Sequence, residues 1–111
     1  MERLIGQVFT NVVRGEYDGN DAILFDDKYA VAHCQDCCES VWLEDVEGDL
    51  SDLEGSPIVT SEISWLDNPA ASESGTWTFV RLSTEKGWVV LRFCGESNGY
   101  YSESAGLIEL R

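Results

Sequence analysis

Along most of the chain, apolar and polar residues alternate with a period of two, the pattern of strands that bury one face. The clearest case is Thr76 to Thr84 followed by Trp88 to Cys94. Alternation places Val80, Leu82, Val89, Leu91 and Phe93 on one side, and Trp77, Phe79, Arg81, Trp88, Val90 and Arg92 on the other. The connecting Glu85-Lys86-Gly87 reads as a three-residue turn in which glycine supplies a positive φ. The first side is expected to be core. The second is expected to be covered too, by the N-terminal strands or by a turn near residues 49–55, because large exposed apolar patches are rare on monomers. Left open, it would be an aromatic patch with two cations.

The same reading gives the other elements. Leu4, Val8 and Val12-Val13 predict an opening β-rich run that ends at the turn residues Gly15 and Asp18-Gly19-Asn20. Ala22 to Phe25 and Tyr29 to Ala32 predict a hairpin across Asp26-Asp27-Lys28, and Val41 to Val46 a further strand. Asp49 to Gly55 predicts one helical turn, capped by Asp49 and closed by Gly55, with Leu50 and Leu53 inward. Pro57 to Leu66 returns to strand composition, and residues 67–75 read as a loop. The expected fold is mainly β, on the border of α+β, with an antiparallel sheet of about six to eight short strands in one domain.

Charge changes the picture. The 111 residues hold 21 acidic and 7 basic side chains, for a formal charge of −14. No Lys or Arg lies between Lys28 and Arg81. Such a surface repels nucleic acid and anionic membranes and favours basic proteins. The expected partner-binding residues are Glu44, Asp45, Glu47, Asp49, Asp52 and Glu54. On an extended segment Asp45, Glu47 and Asp49 would form one row spaced by about 6.6 Å, too sparse alone to copy the phosphates of DNA. Met1 to Gly15 has no signal-peptide pattern, and no run approaches the roughly 18 apolar residues of a membrane span. A cytoplasmic location with reduced thiols is therefore expected.

His33-Cys34-Gln35-Asp36-Cys37-Cys38-Glu39 is the densest group of potential ligands. Cys34 and Cys37 have the C-x-x-C spacing of zinc sites, but the second pair such sites use is missing and Cys94 is the only distant thiol. His33, Cys37 and Cys38 are the metal candidates; the plainer expectation is no cofactor, with partly buried thiols packing as small hydrophobes. Asp36 and Glu39 would disfavour a redox thiolate, and adjacent strand residues point apart, which disfavours a Cys–His nucleophile. Asp45 to Ser56 fails as a calcium loop because Leu50 and Ser56 occupy its glycine and glutamate positions. No enzyme is expected. Glu96, Asn98, Tyr100 and Tyr101, in the segment Gly95 to Glu103, form a candidate interaction loop around the Asn98-Gly99 turn.

H-C-Q-D-C-C-E-S-V-W-L-E-D-V-E-G-D-L-S-D-L-E-G-S-P-I at 33–58, S-G-T-W-T-F-V-R-L-S-T-E-K-G at 74–87 and G-E-S-N-G-Y-Y-S-E at 95–103 resemble a small uncharacterised family of bacteriophage and bacterial genomes. The resemblance implies a phage-like setting and no particular activity, and it draws attention to His33, Asp36, Cys37, Cys38 and Glu39 rather than Cys34. With the charge, it makes the expected function an acidic protein-binding module that inhibits a host nucleic-acid-binding or defence protein, of the anti-CRISPR or anti-restriction type, by mimicking nucleic-acid charge. The alternatives are a metal- or thiol-dependent domain centred on residues 33–39 and a phage structural or assembly component.

Overall fold

A computed structural model describes every residue except Ser72, Tyr100 and Arg111. Eight strands form two antiparallel sheets: β1 (Val12–Tyr17), β2 (Asn20–Phe25), β3 (Tyr29–Ala32) and β8 (Gly106–Glu109) in the order β1-β2-β3-β8, and β4 (Ser40–Glu47), β5 (Thr60–Asp67), β6 (Ser74–Thr84) and β7 (Gly87–Ser97) in the order β4-β7-β6-β5. The mainly β, antiparallel expectation is met, with 3-10 turns as the helical elements among the described residues.

Both sheets turn one side of their alternation inward. Ile23, Phe25 and Val31 from the first sheet meet Val41, Leu43, Val80, Leu82, Val89, Leu91 and Phe93 from the second. Phe9 fills one end, edge-on to Phe25 at 5.2 Å between ring centroids. The expected opening strand is corrected here. Residues 2–4 form a 3-10 turn and β1 starts only at Val12. The intervening segment runs beside residues 54–58, through Gly6 N–H to Ile58 O at 2.8 Å, Ile58 N–H to Gln7 O at 3.0 Å and a parallel bridge of Phe9 with Glu54. Isolated parallel bridging carries no alternation signal, which is why periodicity missed it.

The β6–β7 hairpin matches its expected faces but not its turn. Thr84 pairs with Gly87, so Glu85-Lys86 is a two-residue connection and Gly87 begins β7. The 49–55 turn is a 3-10 helix, Leu50–Leu53, with Asp49 accepting from Ser51 N–H at 3.0 Å and Leu53 fully buried. It closes the end of the core beside β6 and β7: Thr84 Oγ1 donates to the Asp52 carbonyl.

Edges are handled unevenly. A bulge between Leu43 and Asp45 interrupts β4, and side chains of the first sheet occupy the backbone there. Leu43 N–H donates to Asp21 Oδ2 at 2.9 Å and its carbonyl accepts from Arg14 at 3.4 Å. Charged side chains on an edge block pairing with other chains. At β5 only the first half has comparable cover, where Ser61 Oγ donates to the Met1 carbonyl at 2.7 Å.

Gly48 joins β4 to the 3-10 turn at φ +94°, and a Cβ there would collide with the Trp88 carbonyl; Gly6, at φ +85°, has nothing within 4 Å of such a Cβ. In urea unfolding, Gly6→Ala is expected to cost about 1 kcal/mol, the left-handed backbone penalty, and Gly48→Ala roughly 3 kcal/mol or more because backbone must also move. Equal losses would show that Gly48 answers to φ alone.

Candidate functional site

The His33–Glu39 segment links β3 to β4, and its buried residues are the imidazole and the last carboxylate rather than thiols. His33 is 2% and Glu39 3% exposed. His33 Nε2 lies 2.6 Å from Glu39 Oε2, and Nδ1 lies 2.8 Å from the Ser104 carbonyl. A carboxylate and a carbonyl can only accept. Both ring nitrogens are therefore engaged inside the fold, Nδ1 donating to the carbonyl and Nε2 facing the carboxylate out of water. The carboxylate also accepts from Asp36 N–H at 2.8 Å and Cys37 N–H at 2.9 Å, while Gln35 Nε2 donates to the Glu39 carbonyl at 2.8 Å. Burial alone pushes the Glu39 carboxyl up, but the bonds from Cys37 N–H, the His33 ring and Asp36 N–H outweigh it and hold the pKa at about 2. The loop is wound around this carboxylate and tied to the 104 strand approach by the same ring.

This arrangement does not bring the metal candidates together as ligands. Both His33 ring nitrogens already face partners inside the fold, Ser104 and Glu39, and Cys37 and Cys38 are joined to each other by a disulfide. Among the described residues no group of three or more His, Cys, Asp or Glu is arranged to hold a metal ion. The picture of buried, reduced thiols is corrected as well: Cys34 is free but exposed, Cys37 and Cys38 are exposed, and only Cys94 is both free and buried.

The main discrepancy concerns the second face of the hairpin, which no layer of the described residues covers. Register lines up Trp42, Cys94, Trp77 and Leu66 across all four strands of the second sheet; Asp45, Arg92, Phe79 and Ser64 make the next row, and Glu47, Val90, Arg81 and Glu62 the third. Trp88 lies at the end of β7, 59% exposed, and Leu66 is 61% exposed, while Trp42, Trp77, Phe79 and Val90 are half-buried against one another. The Arg92 guanidinium sits 5.3 Å from the centroid of the Trp77 ring, a cation–π contact. Trp42 Nε1 donates to Glu44 at 2.6 Å. Alternation identified this face correctly, but nothing in it says whether another layer lies on top. The N-terminal segment and the 49–55 turn, expected to cover it, are both spent on the core.

The six acidic candidates divide in two. Glu44 and Glu47 are exposed on β4, and Asp45, half-buried, stands opposite Arg92 on the outer face. Asp49, Asp52 and Glu54 serve the fold: Asp49 caps the turn, Asp52 gives its carbonyl to Thr84, and Glu54 Oε2 accepts from Val12 N–H at 2.8 Å while its carbonyl takes Lys86 Nζ at 2.6 Å. The row of Asp45, Glu47 and Asp49 is thus broken at Gly48, where the chain leaves the extended conformation.

In the candidate loop, Asn98 and Tyr101 line a hollow of about 280 Å³ with Cys38, Glu73 and Glu96. Tyr100 lies outside the described residues. Sequence reasoning missed Glu103, which is 7% exposed, accepts from Thr76 Oγ1 at 2.9 Å and receives the Ser97 hydroxyl. It also missed Trp65, 56% exposed although it shares the inward side of β5 with Ser61 and Ile63.

Fold and site together define a small two-sheet antiparallel β-domain with an uncovered aromatic sheet face and a buried imidazole–carboxylate pair. The chain belongs to the family of a domain of unknown function, DUF7448, whose model matches residues 2–107. No curated protein and no solved structure matches it. None of the helices among the described residues is long and apolar enough to cross a membrane.

Because the Glu39 pKa is lowered from 4.5 to about 2, its contribution to folding is full above pH 4.5 and is lost as the pH falls toward 2. Glu39→Gln is expected to be clearly less stable than the native chain at neutral pH in urea unfolding, and the gap should narrow across that acid range. A gap that stays constant with pH would show that the ionised carboxylate is not what stabilises the loop.

Proposed function

We propose that this chain is an acidic protein-binding module that docks on a basic partner through the outer face of the β4-β7-β6-β5 sheet. The observation that carries the reading is the composition of that face: tryptophans, a phenylalanine and a stacked arginine at its centre, carboxylates of β4 along its margin. Trp and Arg dominate the residues that supply binding energy at protein interfaces, and an apolar centre inside a polar rim is how such interfaces are built. An uncovered apolar face of this breadth is unusual on a monomer. The carboxylates select a partner by charge and speed its approach.

The partner class that fits best is a host nucleic-acid-binding or defence protein, held in an anti-CRISPR or anti-restriction manner. Charge supports this: a basic groove made for nucleic acid is the commonest strongly basic surface, and a chain of −14 competes for it. The resemblance to phage and bacterial sequences points the same way by association. Charge mimicry alone is a weaker basis, because only Asp45 and Glu47 keep a common row. Binding rather than catalysis also agrees with His33, whose ring nitrogens are both committed inside the fold.

The test is recovery of partners from a bacterial lysate with the native chain and with two surface variants. A nucleic-acid-binding protein should be retained at about 50 mM salt, weakened toward about 500 mM as screening shortens, and displaced by added DNA. Trp88→Ala should lower its affinity roughly thirtyfold, the loss of one aromatic anchor. Glu44→Lys with Glu47→Lys should lower it further and flatten the salt dependence. Retention that is indifferent to salt and to both variants would refute the reading.

A further inference from the structure

β5 ends its sheet, and among the described residues no strand pairs with its outer side. Asn68 N–H bonds Gly75 O at 2.9 Å in the register that pairs β5 with β6. In an antiparallel ladder bonded and unbonded pairs alternate, so residues 66, 64 and 62 bond β6 while Trp65 and Asp67 turn their N–H and C=O groups outward. The edge of β4 is occupied by Asp21 and Arg14; this one is not. An exposed, long edge strand is a template for another strand.

The space beside that edge has chemistry of its own. Trp65 stands between two hollows: one of about 320 Å³ shared with Cys34, Ser104 and Leu107 of β8, and one of about 470 Å³ shared with Asp67, Glu103 and Tyr101. Glu103 is more than nine-tenths buried. Burial pushes its carboxyl up, yet the hydroxyls of Ser97, Ser74 and Thr76 hold it below the usual range. Among the described residues no Lys or Arg forms an ion pair with it. A charged carboxylate held, among the described residues, by hydroxyls, next to an exposed indole and a second carboxylate, is matched by a cationic side chain.

We infer that the groove between β5 and residues 101–108 takes an extended, Lys- or Arg-bearing segment of a protein partner as an added strand on β5, with a cationic side chain over Trp65 facing Asp67 and Glu103. Backbone bonds to the edge supply affinity, and the hollow selects the side chain, as in strand addition generally. The inference shares with the preceding reading only the basic character of the partner; it uses a different surface.

Cys34 reports on this groove. It is the exposed free thiol in the smaller hollow; Cys94 is buried with its thiol pushed up by that burial, and Cys37 and Cys38 are bonded to each other. The probe is a short peptide of alternating lysine and threonine, with a glutamate-for-lysine control and a version N-methylated on alternate amides. At a concentration about ten times its Kd, the lysine peptide should slow alkylation of Cys34 about tenfold, and both control peptides should leave it unchanged. Trp65→Ala and Asp67→Asn, both at exposed positions, should remove the protection, and Trp88→Ala should not. No protection by the lysine peptide would overturn the inference, and so would equal protection by the N-methylated one. Self-association through β5 without peptide, seen by sedimentation and lost on N-terminally unaltered Trp65→Lys, would assign the edge to a second copy and also overturn it. Peptide protection with partner affinity indifferent to Trp88 and β4 would sink the sheet-face reading alone; the reverse result would sink this one alone.

Discussion

The register of β6 against β7, strands of 11 residues each, decides what every neighbouring residue can do. One parity of that hairpin sends Val80, Leu82, Val89, Leu91 and Phe93 into the core; the other sends Trp77, Phe79, Arg92 and Trp88 outward. Because β5 pairs with β6 in continuous register and β4 pairs with β7 across a single bulge after which the sides resume, they inherit the same division. A shift of one residue would exchange the two sets and place two arginines in the core. Register is therefore strongly fixed, and with it the aromatic rows on the outer face. The first sheet and the 49–55 turn pack on the inner side.

The buried His33–Glu39 pair plays a supporting part at the opposite corner. It fixes the loop leading into β4 and, through the Ser104 carbonyl, the segment leading into β8. Two segments far apart in sequence are set by one imidazole, and the hollows around Trp65 lie where they meet β5. An ion pair withdrawn from water adds little net stability by itself, while losing one partner leaves a costly unpaired charge. Its physical effect is to make one loop conformation much better than the others.

Much of this was legible beforehand. Strict alternation in residues 76–94 marked both hairpin faces, the Asp26-Asp27-Lys28 turn separated β2 from β3, and Asp49 with Gly55 marked the capped turn. The rest depended on tertiary facts that leave no local trace. Whether the outer face is covered depends on where residues 1–11 and 49–55 go. Glu54 looked like free surface charge, but its carboxylate accepts from Val12 N–H, 42 residues away in the chain. Trp65 and Glu103 sit in segments whose composition is ordinary; only the meeting of β5 with residues 101–108 gives them a shared hollow. His33 and Glu39 stood in the cluster that drew attention, but the thiols around them suggested metal chemistry, and only the fold shows the ring facing the carboxylate.

The four tryptophans provide the most direct test, because Trp42, Trp77 and Trp88 lie on the outer face and Trp65 does not. Their indole N–H resonances can be followed by NMR as the basic partner recovered at low salt is added. The account predicts that the signals of Trp42, Trp77 and Trp88 move or broaden together as the complex forms. A complex that forms while those three signals stay unchanged would contradict it.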